Sequence, residues 1–201
     1  MNRPPPHGLL RRRSVLRALG VAALRLGVPA AALLAAPHAG AAAEPELATF
    51  DVSRDEDGVF LNYAVGFDLA RSVDDALLKS VPLFFVAEAE IFRDRWYWRD
   101  RRVAHATRVW KIFYQPLTST FRVTTVGGLS QNYPTRAEAI GSISRNGHWK
   151  IAETGQIEEG SRHYVEFSFR LDTTLLPRPM QIGISGQPDW QLQVKHTQRI
   201  Q

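Results

Sequence analysis

The sequence predicts a mainly β fold, an antiparallel β-sandwich immunoglobulin-like in outline, with two short helices. Three observations lead there. Apolar residues recur with period two along most of the chain after residue 43, and strand-length runs are separated by Gly, Pro, Asp and Asn. The only helical signatures are two brief stretches that begin with capping residues. A partly open barrel is the alternative arrangement of the same strands.

In chain order, Leu47 to Ser53 and Val59 to Phe67 flank Asp55-Glu56-Asp57-Gly58, the composition of a tight turn, and predict a hairpin. Pro82 to Arg93 is apolar on both faces at its start, which suits a central strand covered on both sides. Further strands are expected at Val103 to Tyr114, Phe121 to Thr125, Leu129 to Tyr133 after Gly127-Gly128, Trp149 to Ala152, Arg162 to Leu171, Gln181 to Ser185 and Trp190 to Val194. Ser72-Val73-Asp74-Asp75 predicts one helix capped by Ser72. Thr135-Arg136-Ala137-Glu138, preceded by Pro134, is a capping box for a second, with Asn146-Gly147 as its stop. Leu176-Pro177-Arg178-Pro179 reads as a stiff connection, because proline lacks the donor that a central strand needs; a polyproline-type ligand segment is the alternative. Trp110, Trp149 and Trp190 sit among alternating apolar residues and are expected in the core.

The formal charge of +5, from 25 Lys+Arg against 20 Asp+Glu, is unevenly placed. Six arginines, Arg3, Arg11, Arg12, Arg13, Arg17 and Arg25, precede the first acid, Glu44; the 19 bases that remain face all 20 acids. The stretch after residue 43 is therefore near neutral, which removes the premise of a polycation that binds nucleic acid by counterion release. The same six arginines form the basic start of an export signal over residues 1–43, followed by an Ala/Leu/Val-rich run from Ala18 to Ala36 and by Ala41-Ala42-Ala43, an A-x-A cleavage sequence before Glu44. Arg12-Arg13-Ser14-Val15-Leu16-Arg17 resembles a twin-arginine pattern, but the general secretory route is the first expectation, because arginine-rich starts are common and fall into that pattern by accident. An uncleaved anchor is disfavoured because Arg25 interrupts the apolar run, at about 2.5–3.5 kcal/mol for a charge in mid-span. These features predict a periplasmic protein without a stable membrane span after cleavage, and a single β-sandwich domain over 44–201. With no cysteine, that domain must hold together by core burial alone.

Val81-Pro82-Leu83-Phe84-Phe85, Glu88 and Glu90, and Arg93-Asp94-Arg95-Trp96-Tyr97-Trp98-Arg99-Asp100 form the first part of a longer pattern. It continues through Tyr114-Gln115-Pro116-Leu117-Thr118, Phe121-Arg122-Val123, Gly127-Gly128-Leu129-Ser130-Gln131, Glu138-Ala139, and Leu171 to Gln181, and ends at Asp189-Trp190. The chain resembles the bacterial domain-of-unknown-function 4390 family over nearly all of this region. The resemblance implies a signal segment and one β-rich domain, with no assigned catalytic residue. It also implies an envelope or signalling accessory role, since genes of such proteins often lie beside one for a membrane sensor kinase. The tail Gln191 to His196 departs from the serine-and-tryptophan ending expected there.

Glu88 and Glu90 lie two apart on an expected strand, so they share a face about 6.6 Å apart at ~3.3 Å per residue, near the ~6.5–9.5 Å of inverting glycosidases. The competing reading is a pair of acids neutralised across the ladder by Arg108 or Lys111. An arginine partner for each would remove the hydrolase reading. His105, His148, His163 and His196 are widely spaced and give no local metal motif. The nucleophile elbow, phosphate loop and dinucleotide fingerprint are missing, so neither an enzyme nor a cofactor is expected. The most unusual cluster is Arg95, Trp96, Tyr97, Trp98, Arg99, Arg101 and Arg102, whose composition suits a protein-interface hot spot. The alternative places Trp96 and Trp98 as an end plug, with the arginines on the rings or on Asp94 and Asp100. The expected function is thus a non-enzymatic accessory module that binds an envelope protein through this surface. A binding protein for an apolar small molecule or glycan is the first alternative, and a carboxylate hydrolase the second.

Overall fold

The computed structural model describes residues 44–95, 97, 99–158, 160–184 and 186–200. The expected signal segment and the indoles of Trp96 and Trp98 lie outside the described residues. The fold is mainly β and consists of two antiparallel sheets that face each other as a sandwich. Its likeness to the immunoglobulin outline is this pair of facing sheets; the strand order is its own.

Strands β1 (Glu46–Asp55) and β2 (Gly58–Gly66) form the expected hairpin, and β7 (Arg145–Glu153) joins β2 to complete a three-stranded sheet in the order β1-β2-β7. The larger sheet runs β6-β5-β4-β3-β8-β9, from β3 (Leu83–Arg93), β4 (Arg101–Gln115), β5 (Thr120–Thr125), β6 (Ser130–Tyr133), β8 (His163–Leu171) and β9 (Gln193–Ile200). Strand β3 is central, pairing with β4 in the register Glu90↔His105 and with β8 in the register Glu90↔Glu166.

Period two decides which side chains enter the core. From β3 these are Leu83, Phe85, Ala87, Ala89 and Ile91, all fully buried; from β8 they are Val165, Phe167 and Phe169. They meet Val59, Leu61, Tyr63 and Val65 of β2 and Trp149 and Ile151 of β7. Each large apolar side chain so buried stabilises the fold by about 1.5–3 kcal/mol. The three tryptophans expected in the core are there.

Helix α2 (Arg136–Ser144) starts as predicted: Glu138 N–H donates to Thr135 Oγ1 at 3.2 Å, and the Thr135 hydroxyl donates to the Glu138 carboxylate at 2.9 Å. It ends at Arg145, which is already extended, so Asn146-Gly147 is not its cap but part of β7. Helix α1 (Arg71–Leu78) buries Val73 and Leu77 but is not capped by Ser72. Its N-cap is Ala70, and the Ser72 hydroxyl donates instead to Asp189 at 2.8 Å.

Two expectations near the C-terminus are corrected. Gln181 to Ile184 is not a strand, Ser185 lying outside the described residues: Arg178–Ile184 is a third short helix, α3. Pro177 and Pro179 need no partner for a missing N–H at a first helical turn, and the Pro177 carbonyl accepts from Met180 and Gln181 N–H. The Gln181 amide then ties the helix back through the Thr174 and Leu176 carbonyls, at 2.8 and 2.6 Å. Leu176-Pro177-Arg178-Pro179 is therefore a helix entry. The last strand begins at Gln193, not Trp190, which sits buried in a 3-10 turn over Pro188–Trp190.

Candidate functional site

The outer face of the six-stranded sheet carries the polar half of each alternation. Down its centre run Glu88 and Glu90 of β3, flanked by His105 and Thr107 of β4 and by Glu166, Ser168 and Arg170 of β8. Glu88 accepts from Arg170 at 3.0 Å and lies 2.8 Å from His105 Nε2, which is 3.0 Å from the Thr107 hydroxyl. Glu90 is paired with Arg102. Burial alone would raise the Glu88 carboxyl, but the hydrogen bonds from His105 and Arg170 and their charges outweigh it and hold the group below the usual carboxylate range. The arginine partners that count against a carboxylate hydrolase are thus present, and a general acid needs the opposite shift.

Neither arginine is one expected from the sequence. Arg108 and Lys111 do not reach the acids. Arg108 lies on the inner face, opposite Ala87, and donates to Asn146 at 2.9 Å with its guanidinium over Trp149. Lys111 lies opposite Phe84, six register positions from Glu90. The arginines that do pair come from β8 and from the start of β4, where a bulge between Ile91 and Phe92 brings Arg102 opposite Phe92. Exposed pairs of this kind are worth about 0–1 kcal/mol each.

The four histidines separate. His105 joins the two glutamates, so that one ligand atom from each of Glu88, Glu90 and His105 lies within 4.8 Å of the others. Linear spacing could not show this, because the ladder register alone places residue 105 opposite residue 90. His148 stacks on Phe60 at 4.0 Å, and His196 meets Phe50 edge-on at 4.6 Å.

His163 is buried, its Nδ1 against the Ser161 carbonyl at 3.0 Å and its Nε2 without a partner among the described residues. Burial depresses its pKa, the bond to Ser161 opposes, Arg93 and Arg54 depress it further, and Glu158 raises it. The unfolded chain therefore takes up this proton first, and stability is full above the ordinary histidine value of about 6.5 and falls as pH drops below it. Urea unfolding at pH 7 and 5.5 should show that loss in the wild type and a smaller one in His163→Gln; equal losses would refute the assignment.

At the end of the same sheet, the β3–β4 connection carries most of the arginine-and-aromatic cluster. Asp100 anchors it by accepting the Tyr164 hydroxyl at 2.8 Å and the Arg95 N–H at 3.1 Å. These two bonds hold the Asp100 carboxyl below its ordinary value, while burial and Asp100 push the Tyr164 phenol up to about 12. Asp94 pairs with Arg162, so neither aspartate neutralises Arg95 or Arg99 as expected. Tyr97 is 70% exposed. Arg101 and Arg102 open β4, and beside them Phe92 and Tyr164 stack at 5.4 Å with rings 17° from parallel. Arg199, opposite Tyr164 on β9, completes the patch; it stands nearly 100 residues beyond Arg102, and only the β8–β9 register could have revealed it. Among the described residues, Arg95, Arg99, Arg101 and Arg199 form no ion pair.

A third feature is an apolar cleft of about 240 Å³ lined by Leu69, Ala70, Val73, Leu171 and Leu192. No helix among the described residues is long and apolar enough to cross a membrane.

These features define a two-sheet antiparallel β domain whose open sheet face carries a charged centre and an arginine-and-aromatic end. The chain belongs to the family described as a domain of unknown function, DUF4390, whose model matches residues 42–200. No curated protein and no solved structure matches it.

Proposed function

We propose that this protein is an exported, non-enzymatic accessory module of the periplasm that binds an envelope protein through the arginine-and-aromatic end of its large sheet. The observation that carries the reading is the set of arginines without ion pairs among the described residues, Arg95, Arg99, Arg101 and Arg199, around the Phe92–Tyr164 stack and exposed Tyr97. Arginine and aromatic side chains dominate interface hot spots because they bury large area and still offer directed hydrogen bonds. Asp100 ties Arg95 to Tyr164, which reduces the ordering cost of binding at these residues. Export rests on the signal features of residues 1–43. The link to a membrane sensor kinase rests on the family resemblance, and a kinase ectodomain is one partner that fits.

The carrier alternative has its best place in the apolar cleft, but about 240 Å³ is below the roughly 300–1,000 Å³ of small-molecule sites. The space between the sheets is filled by Phe85, Phe167, Phe169 and Tyr63.

Crosslinking in living cells tests the proposal with the triple charge reversal Arg95→Glu, Arg99→Glu and Arg101→Glu. The wild type should capture a specific envelope protein, and the variant, at equal folded yield, should lose at least about tenfold of it; that corresponds to roughly 1.4 kcal/mol. Undiminished capture by the folded variant would refute this surface as the interface.

A further inference from the structure

We propose that Glu88, Glu90 and His105, with Glu166 as a fourth ligand, form a binding site for a divalent cation of the zinc class on the open face of the large sheet. The site borders the arginine-and-aromatic surface, with Arg102 common to both, but it does not depend on that reading. Three strands supply the donors in fixed register: Glu90 stands directly opposite His105 on β4 and directly opposite Glu166 on β8, and Glu88 is the next residue on the same face of β3. The candidate donor atoms of Glu88, Glu90 and His105 already lie within 4.8 Å of one another. A tetrahedral ion with ligands at ~2.0–2.2 Å needs them about 3.4 Å apart, so the Glu88–His105 pair, now 2.8 Å, opens and the pairs that lie further apart close, shifts on the scale of side-chain rotation.

The donor set also suits the ion. Imidazole nitrogen and carboxylate oxygen are both ligands of zinc-like ions, and with no thiolate in this chain they are the donors on offer. The charges point the same way. Glu90 and Glu166 face each other across a ladder, where like charges repel, and among the described residues Glu166 has no ion pair. Glu88, Glu90 and Glu166 line one side of a cleft of about 230 Å³ that Lys195 closes on β9. Arg102 and Arg170 are the counter-ions in place. Both are partly exposed, with side chains 57% and 32% accessible, so both can swing outward when a dication takes over their charge.

Arg102 and the metal therefore compete for Glu90, and this separates a metal site from an ion-pair network. Titration calorimetry with zinc chloride on metal-stripped protein that carries no polyhistidine tag should show one equivalent bound. Cobalt chloride should give the visible absorption of a four-coordinate ion. Glu88→Gln and His105→Ala should each weaken zinc binding by about tenfold or more, and Arg102→Gln should tighten it. His105→Gln carries the test if the alanine variant does not fold. Absence of zinc binding in both the wild type and Arg102→Gln would overturn the proposal, as would affinity unchanged by loss of His105.

Discussion

Phe169→Ala is expected to lower folding stability by about 3–5 kcal/mol, a large share of the roughly 5–15 kcal/mol that a domain has in total. Phe169 is fully buried and lies at the meeting point of the aromatic core, with ring centres at 5.5 Å from Phe67, 5.8 Å from Phe85, 6.4 Å from Tyr63 and 6.5 Å from Trp110. These partners come from both sheets and from the segment after β2, so none can close the gap without pulling on another element. With no cysteine, no disulfide takes up the loss. Urea unfolding measures the effect, and a loss below about 1 kcal/mol would mean that the core collapses around the site.

Gly58→Ala is expected to cost at least about 1–3 kcal/mol from backbone strain, with a further loss from displacement of β7. Gly58 has φ +149°, and a Cβ there would stand 2.3 Å from the Ala152 carbonyl oxygen, which cannot move without breaking the β2–β7 ladder. Asp55 shapes the same turn by accepting the Asp57 and Gly58 N–H groups at 2.8 and 3.1 Å. Gly127→Ala is the matched control: it also has positive φ, +78°, but a Cβ there meets nothing within 4 Å, so only strain remains. Urea midpoints for the two variants should rank Gly58→Ala as the less stable. Equal losses would show that the Ala152 contact adds nothing.

Much of this was legible in the chain because the signals are local. Asp55 to Gly58 names its own turn, since an Asx side chain and a glycine tolerant of positive φ act within four residues. Thr135 and Glu138 satisfy each other across one helical turn. Period two put Glu88 and Glu90 on one face of a single strand, and the structure places both on the outer face of β3. Local signals failed where contacts distant in sequence set the element. Ser72 has the residue type of a cap, but α1 begins at Arg71 with Ala70 as its N-cap, and the Ser72 hydroxyl donates to Asp189, 117 residues away. The alternation in Gln181 to Ser185 was too short to outweigh the helix entry set by Pro177 and Pro179 and the Gln181 amide bonds back to residues 174 and 176.

The sequence by itself determined the fold class, the first hairpin, the family pattern and the shared face of Glu88 and Glu90. Periodicity, turn chemistry and capping act over at most a few residues, and no partner elsewhere in the chain is needed to read them. Only the tertiary structure decided which charges meet. The β3–β4 and β3–β8 registers place His105 and Glu166 on either side of Glu90, give Glu88 to Arg170, and turn Arg108 inward onto Asn146 and Trp149. A shift of one residue in either register would reverse every face. That register is held by the whole core, which no short stretch of the sequence encodes.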